Sequence, residues 1–234
     1  FTAQHTVALL LALMNKIILH HNWMKDGKWR QGDVQAASFP LRDRKIGFLG
    51  YGAVNQKVHR FLSGFDIDFM VFRRDWNKQK IPLPSNVVKY TYEEFHQFLE
   101  EIDTLIIAVP LTSKTEGMIK EKELELLGDD GLLVNMARGT VVVEKSLYQA
   151  LKEKTILGAA LDVWYNYQPE TDKKGRKFPS KYPFNKLDNV VLSPHRGASP
   201  FSDLKRWDEQ IENISRFARG EKHFLNVVNL KEEY

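Results

Sequence analysis

A glycine-rich turn between an apolar segment and an amphipathic one constrains this chain more than any other feature. Within residues 45–58, Gly50 permits a tight turn and Gly52 lets the backbone approach a pyrophosphate. A helix that starts near Ala53 then offers its first N–H groups to the phosphates. Asn55 stands where a third glycine is usual, so helix and strand should lie slightly farther apart there. The spacing predicts a dinucleotide-binding turn, although a glycine turn without a ligand fits the same residues.

Further apolar segments alternate with amphipathic ones along the chain. Helical patterns begin at Ala53, Glu93, Lys120 and Glu144, and Thr91 with Glu94 forms a capping box before the second of them. Alternation of this kind predicts an α/β fold with a doubly wound, Rossmann-like parallel sheet. The candidate strands after the glycine turn are 67–72, 87–90, 104–109, 132–135, 157–163 and 190–193.

The first residues carry an apolar pattern that is typical of a helix. Residues 6–14 resemble the apolar region of a signal peptide, but no basic segment precedes them and they are too short to span a bilayer. The pattern continues through 16–24 and stops at Asp26 and Gly27. We therefore expect one long, mostly buried helix. Because Phe1 lies inside this pattern, we expect the chain to be the remainder of a longer protein.

These patterns divide the chain into parts with different expected roles. Ser199 and Pro200 mark the start of a last helix that should run to about Arg219. Residues 165–183 should form a long loop beside the last strands. The expected parts are an interdomain helix and arm at 1–36, a dinucleotide-binding domain at 37–199, and at 200–234 a returning helix and tail that are remnants of a second, smaller domain.

Composition excludes several classes of protein. With 234 residues and 43% hydrophobic content, the chain can bury one substantial core plus an appendage. The absence of cysteine excludes disulfides and thiolate metal sites, and no histidines have metal-ligand spacing, so we expect no metal and a cytoplasmic location. The net charge of +4 comes from scattered lysines and arginines rather than from one basic stripe. We therefore expect no nucleic-acid partner and no membrane partner.

Two residues that each follow a candidate strand carry the chemistry of a carbonyl-reducing site. Arg138 can hold a substrate carboxylate and polarise the carbonyl beside it. The imidazole of His195 can give or take the hydroxyl proton while a hydride moves. Taken singly, such an arginine is more often a surface residue and such a histidine a loop residue. Because both residues come after a nucleotide-binding turn in the sequence, the pattern favours an active site.

Several motifs stand in the order found in one enzyme family. From Phe1 to Val228, the chain resembles the D-isomer-specific 2-hydroxyacid dehydrogenases. The resemblance implies an oxidoreductase that moves a hydride between a nicotinamide cofactor and a small D-2-hydroxy acid or 2-keto acid, with a homodimer built on the long helix and arm. The matching segments, beside the glycine turn, are 2–10, 109–115, 133–144, 158–164, 189–195 and 226–228.

The resemblance also assigns roles to individual residues. Arg138 becomes the substrate-binding and catalytic arginine, and His195 becomes the acid/base. Asp162 becomes a residue that bonds near the nicotinamide. Each of these has a plainer alternative, since Asp162 could cap a turn and Pro110 could end a strand. The residues implied to line the cofactor are Gly50, Gly52, Ala53, Val54, Val109, Pro110, Met136, Ala137, Asp162 and Gly197.

One departure from the family concerns the partner of the acid/base histidine. The family usually supplies a glutamate a few residues after the aspartate that matches Asp162. Simple counting places Tyr167 there, and a one-residue insertion places Gln168 there, as in the formate dehydrogenase branch. Glu170 is a third candidate, and Gln168 is the one we favour. The chain also resembles two relatives with other roles, a dinucleotide-sensing corepressor without catalysis and a formate- or phosphite-type dehydrogenase.

The end of the second candidate strand bears on the choice of cofactor. Arg73 lies eighteen residues after Asn55, where the family's ribose-binding aspartate would fall, and Arg74 follows it. An arginine cannot accept a bond from the 2′-hydroxyl of NAD, but it can neutralise the 2′-phosphate of NADP. We therefore expect NADP to be preferred, with NAD as the alternative if Asp75 serves the ribose instead.

Overall fold

A computed structural model describes residues 1–30, 37–78, 83–84, 87–198, 207–231 and 233 of the chain. Residues 31–36 of the predicted arm lie outside the described residues. The helices are α1 Thr2–Met14, α2 Ile17–Lys25, α3 Ala53–Leu62, α4 Phe95–Glu101, α5 Glu121–Leu127, α6 Glu144–Glu153 and α7 Asp208–Ala218. The strands are β1 Lys45–Leu49, β2 Asp68–Phe72, β3 Val87–Tyr90, β4 Thr104–Ile107, β5 Leu132–Asn135, β6 Gly158–Leu161 and β7 Val190–Leu192.

The strands form one parallel sheet, as the alternating pattern predicts. Its seven strands have the order β3-β2-β1-β4-β5-β6-β7. β1 pairs with β2 on one side and with β4 on the other. The strands β2 and β3 therefore extend the sheet in one direction from β1, and the strands from β4 onward extend it in the opposite direction. The switch point lies between β1 and β4. In doubly wound sheets, ligands bind outside the carboxyl ends of the strands at this switch point. The doubly wound α/β fold is confirmed, and its geometry places the candidate site at the ends of β1 and β4.

Helices cover both faces of the sheet because successive strand residues point to opposite sides. Ile46 and Phe48 of β1 are fully buried in a cluster that includes residues of α1 and α3. Leu105 and Ile107 of β4 belong to the cluster on the other face, which α4, α5 and α6 cover. Fully burying each such side chain contributes about 1.5–3 kcal/mol. These contacts fix where each strand ends, and thereby where the residues that follow it lie.

The predicted long first helix is wrong, because the structure has two helices there. α1 and α2 are bent by 64° relative to each other. Lys16 adopts a left-handed conformation with φ of 48°, and the Asn15 side chain donates to the carbonyl of Leu11 at 3.0 Å. Side-chain competition of this kind ends a helix. α1 is buried against the sheet, whereas α2 has no buried residue. No single helix among the described residues is long and apolar enough to cross a membrane. Of the described helix pairs, only α1 and α2 together have the length and composition of a membrane span, and they are bent at the break.

Other element boundaries differ by a few residues from the predicted ones. β4 and β6 end earlier than predicted, at Ile107 and Leu161. α4 begins at Phe95 because the carboxylate of Glu94 accepts bonds of 2.8 Å from the N–H and the hydroxyl of Thr91. The predicted start of the last helix at Ser199 and Pro200 lies outside the described residues, and the described helix is Asp208–Ala218.

A buried histidine beneath the glycine turn makes stability depend on pH. His59 is 4% exposed, and its ring lies 4.0 Å from that of Phe69. Its Nδ1 shares a hydrogen bond of 2.6 Å with the hydroxyl of Tyr51 in the turn. Burial lowers the pKa of His59 below its ordinary value of 6.5. In the pH range between the lowered pKa and 6.5, the unfolded chain therefore binds a proton that the folded chain does not.

We expect the free energy of unfolding to fall as the pH drops through that range. The fall should be shallower in a His59→Gln variant, because glutamine does not titrate. Urea unfolding at a series of pH values above and below 6.5 measures both slopes. Equal slopes in the two proteins would contradict the assignment, and His21→Gln on the exposed surface of α2 serves as the matched control.

Candidate active site

The glycine turn is shaped by two glycines with different constraints. Gly50 has φ of +82°, and a Cβ there would lie 2.6 Å from Cγ1 of Val109 and 3.0 Å from the carbonyl oxygen of Ala108. Only glycine fits this close approach of β1 to β4. Gly52 caps α3, and a Cβ built there meets no atom within 4 Å. The space above Gly52 and the unsatisfied N–H groups of the first turn of α3, where Ala53 and Val54 lie, fit a pyrophosphate.

Asn55 has a bonding role that the sequence did not reveal. Its side chain is fully buried, and its Nδ2 donates to the carbonyl oxygen of Gly50 at 2.6 Å. Its Oδ1 has no hydrogen-bond partner among the described residues. In place of a third glycine, the amide bridges α3 and the turn and holds the turn's shape. An asparagine at the position of a motif glycine is the only signal of this in the sequence.

A cavity opens at the switch point between β1 and β4. Its volume is about 270 Å³, and the ends of β1, β2 and β4 form its walls. Arg73, Arg74 and Asp75 follow β2 and line it, so the predicted cofactor-selecting residues lie beside the glycine turn. Within the described residues, no group of three His, Asp or Glu side chains could hold a metal ion. The lining residues include Gly50, Gly52, Tyr92, Val109, Pro110, Thr112, Lys114 and Met118.

The turn after β5 presents Arg138. Asn135 at the end of β5 is buried, its Oδ1 accepts from the N–H of Ala137 at 3.0 Å, and its Nδ2 donates to the carbonyl of Arg138 at 3.0 Å. Met136 and Ala137 are buried between them. The Arg138 side chain is exposed, and its guanidinium donates to the carbonyl of Ala137 at 2.7 Å. Asn135 therefore positions Arg138, a role that sequence reasoning missed.

His195 lies in the segment that follows β7. Its side chain is exposed and its backbone has φ of 57°, which residues other than glycine rarely adopt. The indole of Trp164, from the segment after β6, donates to the carbonyl of Ser193 at 2.8 Å. β5 and β7 flank β6, so Arg138 and His195 follow strands that are roughly 10 Å apart. The structure thus brings both predicted catalytic residues to one edge of the sheet.

The three candidates for the partner of His195 are Tyr167, Gln168 and Glu170, and the last of these is exposed. The ring of Tyr167 lies 5.1 Å from the imidazole of His195, centre to centre. Its hydroxyl accepts from the backbone N–H of Trp164 at 3.2 Å. The backbone N–H of Gln168 donates to the side-chain oxygen of Asn166. Among the described residues, Gln168 forms no hydrogen bond with His195. The structure thus sets an aromatic ring, not the favoured amide, beside the histidine, and a role for Gln168 stays a prediction.

Asp162 lies beneath the His195 segment rather than on the wall of the cavity. It is 2% exposed, and its carboxylate accepts from the N–H groups of Arg196 and Gly197 at 2.7 and 2.8 Å. The hydroxyl of Ser193 donates to it as well. His5 of α1 reaches the same group, with its Nε2 3.4 Å from Oδ1 of Asp162. A role for Asp162 beside the nicotinamide stays a prediction, because its described partners all belong to the protein.

Comparison with known proteins places this arrangement in a family. The sequence profile of the NAD binding domain of D-isomer specific 2-hydroxyacid dehydrogenases matches residues 7–197. The chain belongs to this family. The glyoxylate reductase of Pyrococcus furiosus is 33% identical over 226 residues, which cover 94% of this chain and 63% of the relative. The D-3-phosphoglycerate dehydrogenase of Archaeoglobus fulgidus is 31% identical, over 98% of this chain and 41% of the relative.

Solved structures of two reductases have a similar fold. The NADPH-dependent glyoxylate/hydroxypyruvate reductase of Sinorhizobium meliloti, in complex with NADP and malonate, is 26% identical with a TM-score of 0.74, over 93% of this chain and 63% of that one. An acyclic imino acid reductase in complex with NADPH and D-Arg is 26% identical with a TM-score of 0.79, over 97% of this chain and 67% of that one. The chain thus spans between 41% and 67% of the length of these four relatives.

Proposed function

We propose that this chain is the cofactor-binding part of an oxidoreductase that interconverts a small 2-keto acid and its D-2-hydroxy acid. One observation carries the proposal. Arg138 follows β5 and His195 follows β7, the two parallel strands that flank β6, so both lie at the same edge of the sheet as the glycine turn after β1. The names of relatives support a small substrate, since several are glyoxylate reductases. Turnover of 2-keto acids by the full-length protein tests the proposal.

In this proposal, each residue has one task. The bound nicotinamide supplies or accepts the hydride. Arg138 leaves its bond to the carbonyl of Ala137 and holds the substrate carboxylate with two parallel N–H bonds, which orients the neighbouring carbonyl. His195 donates its proton to the oxygen that becomes the hydroxyl, and accepts it in the reverse direction. Gly50 and Gly52 let the cofactor's pyrophosphate approach the first turn of α3.

The two motif glycines should fail in different ways when replaced by alanine. Gly52→Ala should leave the melting temperature nearly unchanged, because a Cβ there meets no atom within 4 Å, but it should weaken cofactor binding by about tenfold or more through contact with the pyrophosphate. Gly50→Ala should also lower the melting temperature, since its φ of +82° and its contact with Val109 are incompatible with a side chain.

Thermal unfolding and cofactor titration separate the two effects. Gly64→Ala is the matched control, because Gly64 is exposed and a Cβ there also meets no atom within 4 Å. If Gly52→Ala binds the cofactor as tightly as that control does, the pyrophosphate does not lie at the turn.

We further propose that the cofactor is NADP(H) rather than NAD(H). Arg73 and Arg74 line the cavity at the end of β2, where the ribose of a bound dinucleotide would lie. Charge-assisted bonds to the 2′-phosphate contribute roughly 1.5–3 kcal/mol, or about ten- to a hundredfold in affinity. Fluorescence titration should therefore show tighter binding of NADPH than of NADH at moderate salt.

An Arg73→Asp variant should weaken NADPH binding far more than NADH binding. Arg42→Asp is the control for net charge, since Arg42 is exposed and lies before β1. Equal or tighter binding of NADH by the unmodified protein would contradict the proposed preference and point to Asp75 as the ribose-binding residue.

We also propose that the full-length protein is a homodimer. α2 exposes Ile17, Ile18 and Met24, each more than half accessible, so its apolar surface is left uncovered in the single chain. The family resemblance assigns the dimer contact to this part of the chain. Light scattering of the full-length protein measures the mass directly.

A further inference from the structure

Three groups of the segment 193–197 converge on one buried carboxylate at the end of β6. Asp162 accepts from the Ser193 hydroxyl and from the N–H groups of Arg196 and Gly197. These partners bracket His195, which lies between Ser193 and Arg196 in the chain. The bonds therefore act on both sides of the residue whose φ of 57° must be held by its surroundings.

Glycine at position 197 allows this close packing. A Cβ there would lie 2.7 Å from Oδ2 of Asp162, 2.7 Å from Cε of Met136 and 3.5 Å from Cδ2 of His5. The segment thus lies against the residues that directly follow β5 and β6 and against α1. If the groups around Gly197 move, the backbone of Gly197 must move with them, and Gly197 is only two residues from His195.

His5 of α1 completes the cluster. Its Nε2 lies 2.9 Å from Oγ of Ser193 and 3.4 Å from Oδ1 of Asp162. The single hydroxyl proton of Ser193 goes to Asp162, so the Nε2 of His5 must carry a proton and donate it to the serine oxygen. The three residue types are those of a hydrolytic triad, but here the serine donates to the carboxylate and is only 7% exposed. The cluster is built to hold the segment, not to attack a substrate.

We propose that His5 is a positioning residue for His195. Through Ser193 and Asp162, its N–H donor holds the segment 193–197 in the conformation that aims the imidazole of His195 at the substrate. His5 itself touches neither substrate nor cofactor. The inference rests on the proposed function, because it assigns His5 a purpose only if His195 is the acid/base.

Two replacements of His5 in the full-length protein distinguish the effect of its N–H donor from the effect of its size. Gln carries an N–H donor at a similar reach, whereas Leu fills the space without a donor. His5→Leu should lower kcat by about ten- to a hundredfold with little change in the cofactor dissociation constant, as a small misplacement of a catalytic group does. His5→Gln should recover kcat to within a few-fold of the unmodified protein. Hydrogen exchange at the Arg196 and Gly197 amides should be faster in the Leu variant alone.

Wild-type kcat in a folded His5→Leu variant overturns the proposal. So does a folded His5→Gln variant that is as slow as His5→Leu, because the donor would then be irrelevant. If His5→Leu does not fold, Ser193→Ala tests the same bond, with the same loss of kcat expected and wild-type kcat again overturning it.

A double substitution distinguishes failure of this inference from failure of the proposed function. If His5 acts through His195, adding His5→Leu to His195→Asn should cause no further loss of kcat. A full additional loss overturns the positioning role while leaving the function intact. If His195→Asn alone has wild-type activity, the proposed function is wrong and the inference falls with it, whereas the exchange result still reports whether His5 holds the segment.

Discussion

Replacing Arg138 with lysine in the full-length protein should lower kcat/KM for a 2-keto acid by about ten- to a hundredfold, since losing one charge-assisted bond costs roughly 1.5–3 kcal/mol. Lysine keeps the positive charge, but a point charge cannot reproduce the two-pronged hold of a guanidinium on a carboxylate. The dissociation constant of the cofactor should change little, because Arg138 follows β5, outside the cavity between β1, β2 and β4. Steady-state kinetics and a cofactor titration measure the two quantities.

The control for this substitution is Arg60→Lys, since Arg60 is exposed on α3 and lies outside the candidate site. It should leave kcat/KM unchanged. An Arg138→Lys enzyme that turns over with the efficiency of this control would show that the arginine does not bind the substrate.

Replacing His195 with asparagine should have the largest effect, a loss of about 10²–10⁴-fold in kcat for keto-acid reduction. Reduction needs a proton on the imidazole, so activity of the unmodified enzyme should decline as rising pH removes that proton. Oxidation of the hydroxy acid needs the neutral imidazole and should rise over the same range. Asparagine does not titrate, so both limbs should disappear from the pH profiles of the variant.

Tyr167→Phe is the matched control for the histidine. It keeps the aromatic ring 5.1 Å from the imidazole but removes the hydroxyl that accepts from Trp164. The pH limbs should survive in this variant. Limbs that survive in His195→Asn and vanish in Tyr167→Phe would transfer the acid/base role to the tyrosine.

The sheet could be predicted because its signals are local. Each strand is a short apolar run, and the intervening amphipathic helices imply parallel neighbours. The break between α1 and α2 could not be predicted, since the apolar pattern passes through Asn15 and Lys16 without interruption. The break consists of the Asn15 bond to the carbonyl of Leu11 and the left-handed φ of Lys16, and the periodicity of apolar residues carries no information on either.

The candidate site also has features that the sequence predicts and features that it does not. That Arg138 and His195 meet at one edge follows from the parallel sheet, because carboxyl ends of its strands lie together. The contacts of Asn55, Asn135 and His5 could not be found in this way. Each is a polar side chain whose partner is chosen by tertiary packing, across 188 positions in the bond of His5 to Ser193. Simple counting gives Tyr167 as the partner of His195 and a one-residue insertion gives Gln168, and neither count can show which side chain of a long loop faces the histidine.

Turnover by the full-length protein tests the central claim most directly. Purified protein is supplied with NADPH or NADH and, in separate reactions, with glyoxylate, larger 2-keto acids, and, with the oxidised cofactors, formate and phosphite. We expect cofactor oxidation with at least one small 2-keto acid, faster with NADPH, and lost in the His195→Asn variant. Tight cofactor binding without turnover of any substrate would contradict the account and indicate a dinucleotide sensor, and turnover of formate or phosphite alone would contradict the proposed substrate class.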